Sequence, residues 1–144
     1  MKVKDVLKGK GGRVVTIDGN ATVADAIARL VQNNIGSLPV VDEEGALVGV
    51  VSERDVLRLM HNRGEGFARE RVADVMTRGP VTCGPDDNVE DVMGQMSERR
   101  IAKVPVLQDS QLVGIVSVGD VIKVMYERVH AENSHLMSYL YGHT

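Results

Sequence analysis

The sequence predicts a mixed α/β (α+β) fold of two β-α-β-β-α repeats, packed with pseudo-twofold symmetry, with the sheets together and the helices outside. The main observation is a duplication, because the stretch Gly49–Asp55 (GVVSERD) returns as Gly114–Asp120 (GIVSVGD). Short apolar runs and helical patterns occupy matching places around both copies. The composition agrees with a folded domain, since 43% of the 144 residues are hydrophobic and 26% are charged.

The first repeat opens with a strand and a helix. Residues 14–17 (VVTI) are short and β-branched, which favours a strand. Thr22 and Asp25 have the spacing of a capping box, in which both side chains satisfy the first amides of a helix, and Asn88 with Asp91 repeats that spacing. The helix that follows has one apolar face, formed by Val23, Ala26, Ile27, Leu30 and Val31.

Two strands and a second helix complete the first repeat. Residues 38–41 and 47–51 are apolar runs separated by the turn residues 42–45, which predicts a hairpin. The run 47–51 is too uniformly apolar for a half-exposed strand. A helix over 53–61 follows directly. The side chains that it is predicted to direct inward are Val56, Leu57 and Met60.

The second repeat restarts the same order. Pro105 follows Pro39 by 66 residues, whereas Asp120 follows Asp55 by 65, because the second turn is one residue shorter. Slippage confined to a turn indicates a true duplication. Beyond the second copy, an apolar helical stripe continues through Val121, Ile122, Met125, Val129, Leu136, Tyr139 and Leu140.

These offsets set the predicted boundaries. We predict repeat 1 over 5–62, a polar linker over 63–72, repeat 2 over 73–130 and a C-terminal helical extension over 131–144.

Composition argues against several functional classes. The net charge of −3 and only four aromatic residues give no attraction or stacking platform for nucleic acid. No apolar run reaches the length of a membrane span, and the charged N-terminus lacks a signal sequence, so a cytoplasmic location is expected. Cys83 is the single cysteine, in a predicted strand, where a buried structural thiol is favoured over a nucleophile. The histidines lack metal-ligand spacing and no phosphate-binding loop of the GxxxxGK[ST] type is present, so neither a metal site nor an enzyme is predicted.

The pairs Ser52/Asp55 and Ser117/Asp120 have two interpretations. Ser-x-x-Asp closely matches a capping box, and either copy alone favours a helix cap over a ligand site. Each pair also follows a buried strand directly, so that free amides and the helix dipole favour an anion, while the carboxylate suits ribose hydroxyls. The combination fits a nucleoside phosphate.

The repeated frame resembles the cystathionine-β-synthase (CBS) domain, present as a tandem pair over roughly residues 5–130. The resemblance rests on Pro39-Val40 and Pro105-Val106, on the two Gly-x-Val-Ser-x-x-Asp stretches, and on Val75-Met76-Thr77 before the second copy. In layout the chain looks like a small stand-alone bacterial CBS-pair protein. The resemblance implies two clefts between the repeats that bind adenosine ligands: AMP, ADP, ATP, NAD(H) or S-adenosylmethionine.

The resemblance also implies which residues form the clefts. In each cleft the aspartate would bind ribose hydroxyls, apolar residues would flank adenine, and serine or a basic side chain would hold phosphate. One cleft would use Ser52, Arg54, Asp55, Thr77, Val81, Ile101, Ala102 and Lys103. The other would use Ser117, Asp120, Val15, Ile35, Gly36 and Ser37.

The two clefts differ in the charge that they offer to phosphate. Arg54 and Lys103 are available to the first, whereas the second has Gly119 and Ser37 at the equivalent positions. The second would need Lys8, Lys10 or Arg13 instead. Ala102 departs from the histidine or arginine frequent in the family. The hypothesis is therefore that the Asp55 cleft prefers the more highly phosphorylated ligand.

The leading functional prediction is a regulatory sensor that binds adenine nucleotides or NAD(H), with no catalytic cofactor. It would form a homodimer, a disc of four repeats as in the family, and relay ligand occupancy to an unknown partner protein. The alternative is a structural dimerisation scaffold, in which Ser-x-x-Asp serves only as a cap. The sequence names neither the ligand nor the partner.

Overall fold

A computed structural model describes residues 1–10 and 13–141, without the side chains of 134–139 and 141. The sequence folds into a mixed α/β structure, which confirms the predicted fold class. In chain order the elements are α1 Val3–Lys10, β1 Ile17–Asp18, α2 Val23–Asn33, β2 Ser37–Val41, β3 Leu47–Ser52, α3 Glu53–Arg63, a 3₁₀ turn Phe67–Arg69, α4 Val72–Val75, β4 Thr77–Arg78, α5 Val89–Arg99, β5 Lys103–Gln108, β6 Gln111–Ser117 and α6 Val118–Tyr141.

The described chain groups into two compact units. The first unit comprises residues 13–83 and 105–114. Its sheet has the order β1-β2-β3-β4, with β1 parallel to β2 and the other two pairs antiparallel. The helices α2 and α4 cover this sheet over a core of Ile17, Ala26, Leu30, Leu38, Val40, Val51, Val72 and Met76.

Among the described residues, the second unit takes its members from 1–10, 84–104 and 115–141. Here α1 and α5 each pack against α6. The amides of Val3 and Lys4 donate to the carbonyls of Asp87 and Pro85, which fixes the start of α1 beside the turn before α5. Its buried apolar side chains include Val3, Val6, Val89, Val92, Met96, Val104, Val116 and Val121.

Most elements of the first repeat lie where the sequence predicts them. The capping box of α2 is confirmed, because Thr22 Oγ1 accepts from the Asp25 amide and Asp25 accepts from the Thr22 amide. The predicted strand over 14–17 is shorter and later, since only Ile17 and Asp18 pair with β2. The cap predicted at Asn88 is wrong in one respect: Asn88 is the N-cap residue of α5, but its side chain makes no capping bond.

The expected inward direction of several apolar side chains is wrong. Val56 is buried, but Leu57 is 65% exposed and Met60 is 43% exposed on the same helix. Val31 on α2 and Ile122 on α6 are also exposed. The 3.6-residue period indicates an apolar face, but it does not say whether this chain covers that face.

In α6 the exposed face continues along the stripe. Met125, Val129 and Leu140 are exposed, whereas Leu136 and Tyr139 fall outside the described side chains. The helix runs unbroken from Val118 to Tyr141. Within the described residues, no helix is both long enough and apolar enough to cross a membrane.

Cys83 is buried, as predicted for a structural thiol. Its amide donates to the Pro105 carbonyl over 3.0 Å, and its carbonyl accepts from the Leu107 amide over 2.8 Å. These two hydrogen bonds join the segment that precedes α5 to strand β5.

Candidate functional site

The junction of β3 and α3 places the Asp55 carboxylate at the N-terminus of α3. Ser52 is the N-cap of α3, and the Asp55 amide donates to its Oγ over 3.2 Å. In return, Asp55 Oδ2 accepts from the Ser52 amide at 2.8 Å and from the Ser52 hydroxyl at 3.0 Å. The predicted cap is therefore present, and its bonds converge on one carboxylate oxygen.

The other oxygen of Asp55 faces a different segment. Asp55 Oδ1 accepts from the Thr77 hydroxyl at 3.2 Å, and only 8% of Asp55 is exposed. Thr77 reaches this point because β4 pairs with β3, with Thr77 opposite Val50. A buried carboxylate whose second oxygen meets one neutral hydroxyl is well suited to accept hydroxyl donors.

Gly49 makes this approach of β4 possible. A Cβ at Gly49 would lie 2.6 Å from Met76 Sδ and 2.8 Å from the Thr77 carbonyl oxygen. The glycine of the repeated motif is therefore required by a close passage of backbone.

We expect Gly49→Ala to lower the free energy of unfolding by about 1–3 kcal/mol, because β4 must move away from β3. Chemical denaturation measures the change. The control is Gly94→Ala in α5, where an added Cβ meets no heavy atom within 4 Å. That substitution should be neutral or stabilising by up to about 1 kcal/mol, because alanine has the higher helix propensity. Equal stability of the two variants would contradict the crowding at Gly49.

The junction of β6 and α6 repeats the cap with a different partner. The Asp120 amide donates to Ser117 Oγ at 3.0 Å, and Asp120 Oδ2 accepts from the Ser117 amide at 3.0 Å. Lys10 Nζ lies 2.8 Å from the same Oδ2 and also donates to the Ile115 carbonyl at 2.8 Å. The residue beside the second carboxylate is thus a cation from α1.

These contacts change the acidity of Asp120. Its partial burial by itself raises the pKa, but the hydrogen bond from Lys10 and the bonds from Ser117 oppose this, and the pKa lies below the usual 3.8. Asp120 is therefore an anion at neutral pH.

The sign of this shift gives a pH dependence. Because the folded-state pKa is depressed, the stabilisation by the Lys10–Asp120 pair is complete above about pH 3.8 and is lost as the pH falls through the lower folded-state value. We expect the difference in free energy of unfolding between the wild type and Lys10→Gln to be constant from about pH 5 to 7 and to vanish in stronger acid. Denaturation at several pH values tests this, and a difference that grows on acidification would contradict it.

The first amide of each helix is already engaged. The Glu53 amide donates to the Gly36 carbonyl, and the Val118 amide donates to the Ala102 carbonyl, both over 3.0 Å. Since the third amide of each helix donates to the cap serine, fewer amides are left for an anion than the sequence predicts. An anion at either junction would depend more on side-chain cations.

The structure groups the predicted site residues by junction. Gly36 precedes β2, and Ser37 pairs with Ser52 in the register of β2 and β3. Ala102 precedes β5 and is bonded to the start of α6. Of the remaining predicted residues, Arg54 and Lys103 are exposed, and Val15, Ile35, Val81 and Ile101 are half-buried. The predicted combination of residues from both repeats in each cleft stays a prediction.

One contact was not predicted from the sequence. Lys10 is one of three basic residues that the sequence offers to a phosphate in the Asp120 cleft. Its ion pair with Asp120 itself is not predicted by the sequence. No local signal reveals it, because 110 residues separate the two side chains in sequence.

Comparison with known proteins identifies the family. The family model of the CBS domain matches residues 3–62 and 72–127. The chain therefore belongs to the CBS domain family and contains two copies of its repeat. Among curated relatives, the CBS domain-containing protein CBSX3, mitochondrial, of Arabidopsis thaliana is 34% identical over 148 residues, covering 97% of this chain and 72% of the relative.

Solved structures agree with this assignment. The CBS-domain containing protein ATU1752 from Agrobacterium tumefaciens matches with a TM-score of 0.80 at 32% identity, covering 87% of this chain and 99% of that one. The CBS domain pair of protein MJ0100 matches with a TM-score of 0.76 at 30% identity, covering 89% and 98%. That structure is a complex with 5′-methylthioadenosine and S-adenosyl-L-methionine.

Proposed function

We propose that this chain is a regulatory module that binds adenosine-containing ligands, such as AMP, ADP, ATP or NAD(H), at the Ser52–Asp55 and Ser117–Asp120 junctions. Ligand occupancy would alter its contact with a partner protein. The observation that carries the proposal is the buried Asp55 carboxylate, which has one oxygen in the helix cap and the other directed at Thr77.

A comparison with Asp25 supports a role beyond capping. Asp25 Oδ2 accepts from the amide and the hydroxyl of Thr22, both at 3.0 Å, much as Asp55 does from Ser52. Yet Asp25 is exposed, whereas Asp55 is buried and its second oxygen bonds to a residue 22 positions away. A cap alone requires neither burial nor the second partner. The burial of Asp55 and its second hydrogen-bond partner therefore support a function for its carboxylate beyond capping the helix.

The known relatives support the choice of ligand class. The CBS domain pair of MJ0100 is complexed with two adenosine compounds. An acidic side chain that accepts from a ribose hydroxyl is the means by which dinucleotide-binding folds hold the ribose.

A titration panel tests the proposal. Isothermal titration calorimetry with AMP, ADP, ATP, NAD⁺, NADH and S-adenosylmethionine should give saturable binding of at least one compound. Thermal unfolding provides a second readout, since a ligand at 100 times its Kd adds about 2.7 kcal/mol to the free energy of unfolding. Binding of none of them would favour the scaffold alternative, in which the two serine–aspartate pairs are only caps.

We also propose that the module is a homodimer joined through the exposed apolar faces of α3 and α6. Leu57 and Ile122 occupy equivalent repeat positions and are 65% and 57% exposed, and Met60 and Met125 are equivalent and exposed as well. On the first unit this face adjoins an open groove of about 730 Å³ between α2 and α3. Exposed apolar faces of this kind mark interaction surfaces. A face present in both repeats suits an isologous contact between two copies.

A further inference from the structure

Lys10 is held at the Asp120 junction by the packing of its helix. Val3 and Val6 are buried, and α1 packs against α6. Lys10 ends α1, and its ammonium contacts both Asp120 Oδ2 and the Ile115 carbonyl, each over 2.8 Å. The fold therefore places a cation beside this carboxylate.

The Asp55 junction is built differently at the same point. There the long-range partner of the aspartate is Thr77, a neutral hydroxyl that donates to Oδ1. The cation nearest in sequence is Arg54, whose counterpart at the other junction is Gly119. Arg54 forms no ion pair among the described residues. Among the residues that the structure describes, Lys10 is the only cation in contact with Asp120.

We propose that Lys10 determines ligand specificity at the Asp120 junction, by selecting adenosine ligands that carry a phosphate over the unphosphorylated nucleoside. This inference rests on the proposed function. An ammonium has three donors, and two of them are engaged, so the third can bind a phosphate oxygen. The bonds to the Asp120 carboxylate from Lys10 and from the Ser117 amide both end on Oδ2, and the Ser117 side chain also bonds to this carboxylate. Oδ1 takes part in neither of the first two bonds and would accept the ribose hydroxyl.

The energetics favour a hydrogen bond from Lys10 to a phosphate. The side chains of Lys10 and Asp120 are 38% and 24% exposed, and ion pairs in such surroundings contribute little to stability. A phosphate offers the ammonium a more highly charged acceptor. A nucleoside without phosphate gains nothing from Lys10, so the residue discriminates between the two.

The test isolates one junction by working in an Asp55→Asn background. Asparagine at this third helix position keeps an amide oxygen that can accept from the Ser52 amide, so the fold should tolerate it. Calorimetric titration with AMP and with adenosine is compared for Lys10, Lys10→Gln and Lys10→Arg in that background. Lys4→Gln is the charge-matched control, because Lys4 lies on the same helix and pairs with Asp86 instead of Asp120.

We expect Lys10→Gln to weaken AMP binding about tenfold to hundredfold, the equivalent of one hydrogen bond to a charged group, with adenosine affinity unchanged. Lys10→Arg and Lys4→Gln should keep the preference for AMP. Equal changes for AMP and adenosine in Lys10→Gln would overturn the inference and leave the proposed function standing. Absence of binding by the wild type itself would overturn the proposed function and, with it, this inference.

Discussion

Replacing both aspartates, Asp55→Asn with Asp120→Asn, should lower the affinity of each junction for AMP, or for the tightest binder of the panel, by about tenfold to hundredfold. Each carboxylate has one oxygen, Oδ2, in the helix cap, and its other oxygen, Oδ1, would accept a ribose hydroxyl. Asparagine keeps one acceptor and presents a donor in place of the other, so at least one bond to a charged group, worth about 1.5–3 kcal/mol, is lost at each junction. Calorimetry measures the change, and each single variant should remove one of two binding events.

The matched control is Asp25→Asn. Its capping geometry copies that of Asp55, but it lies in a helix that does not follow a buried strand directly. Ligand binding should therefore stay at the wild-type level. If Asp25→Asn and Asp55→Asn weaken binding equally, the aspartates act only through the stability of the helices.

The single variants also separate the two junctions. The loss of ATP affinity should be larger for Asp55→Asn than for Asp120→Asn, and identical losses would refute the ATP preference of the Asp55 junction.

Charged substitutions on the exposed apolar faces should convert the proposed dimer to a monomer. Leu57→Asp or Ile122→Asp would place a carboxylate in the proposed contact, and in an isologous dimer each substitution is counted twice. A central contact residue contributes about 2 kcal/mol or more, so the dimer dissociation constant should rise at least about a hundredfold. Sedimentation velocity at several protein concentrations measures the shift.

Val113→Asp is the control for this experiment. Val113 is 44% exposed on β6 and belongs to neither of the two helical stripes. The wild type and the control should both sediment as dimers. A monomeric wild type, or a dimer that persists in Leu57→Asp and Ile122→Asp together, would exclude these faces as the contact.

The duplication determined much of the fold in advance. The capping box at Thr22, the β2–β3 hairpin and the helix after Ser52 lie within one or two residues of their predicted positions. These features depend on local rules, such as cap spacing and turn composition, which a single sequence displays. The strand predicted over 14–17 is observed only at Ile17 and Asp18. Its pairing depends on β2, which is too distant in sequence for local rules to reveal.

The exposure of apolar helix faces could not be predicted from periodicity. Val56 and Met60 lie four residues apart on one face of α3, yet the first is buried and the second is exposed. The amphipathic pattern is the same whether the face meets the same chain or a second copy. Tertiary structure is needed to distinguish the two.

The sequence by itself determined that this protein has two strand-to-helix junctions, each with a serine and an aspartate three residues apart, and that their neighbouring charges differ. Only the tertiary structure decided which groups meet the two carboxylates: the Thr77 hydroxyl at Asp55 and the Lys10 ammonium at Asp120. The physical reason is distance along the chain. A cap is a local bond over three residues, whereas Thr77 arrives through the pairing of β4 over Gly49, and Lys10 arrives through the packing of α1 against α6.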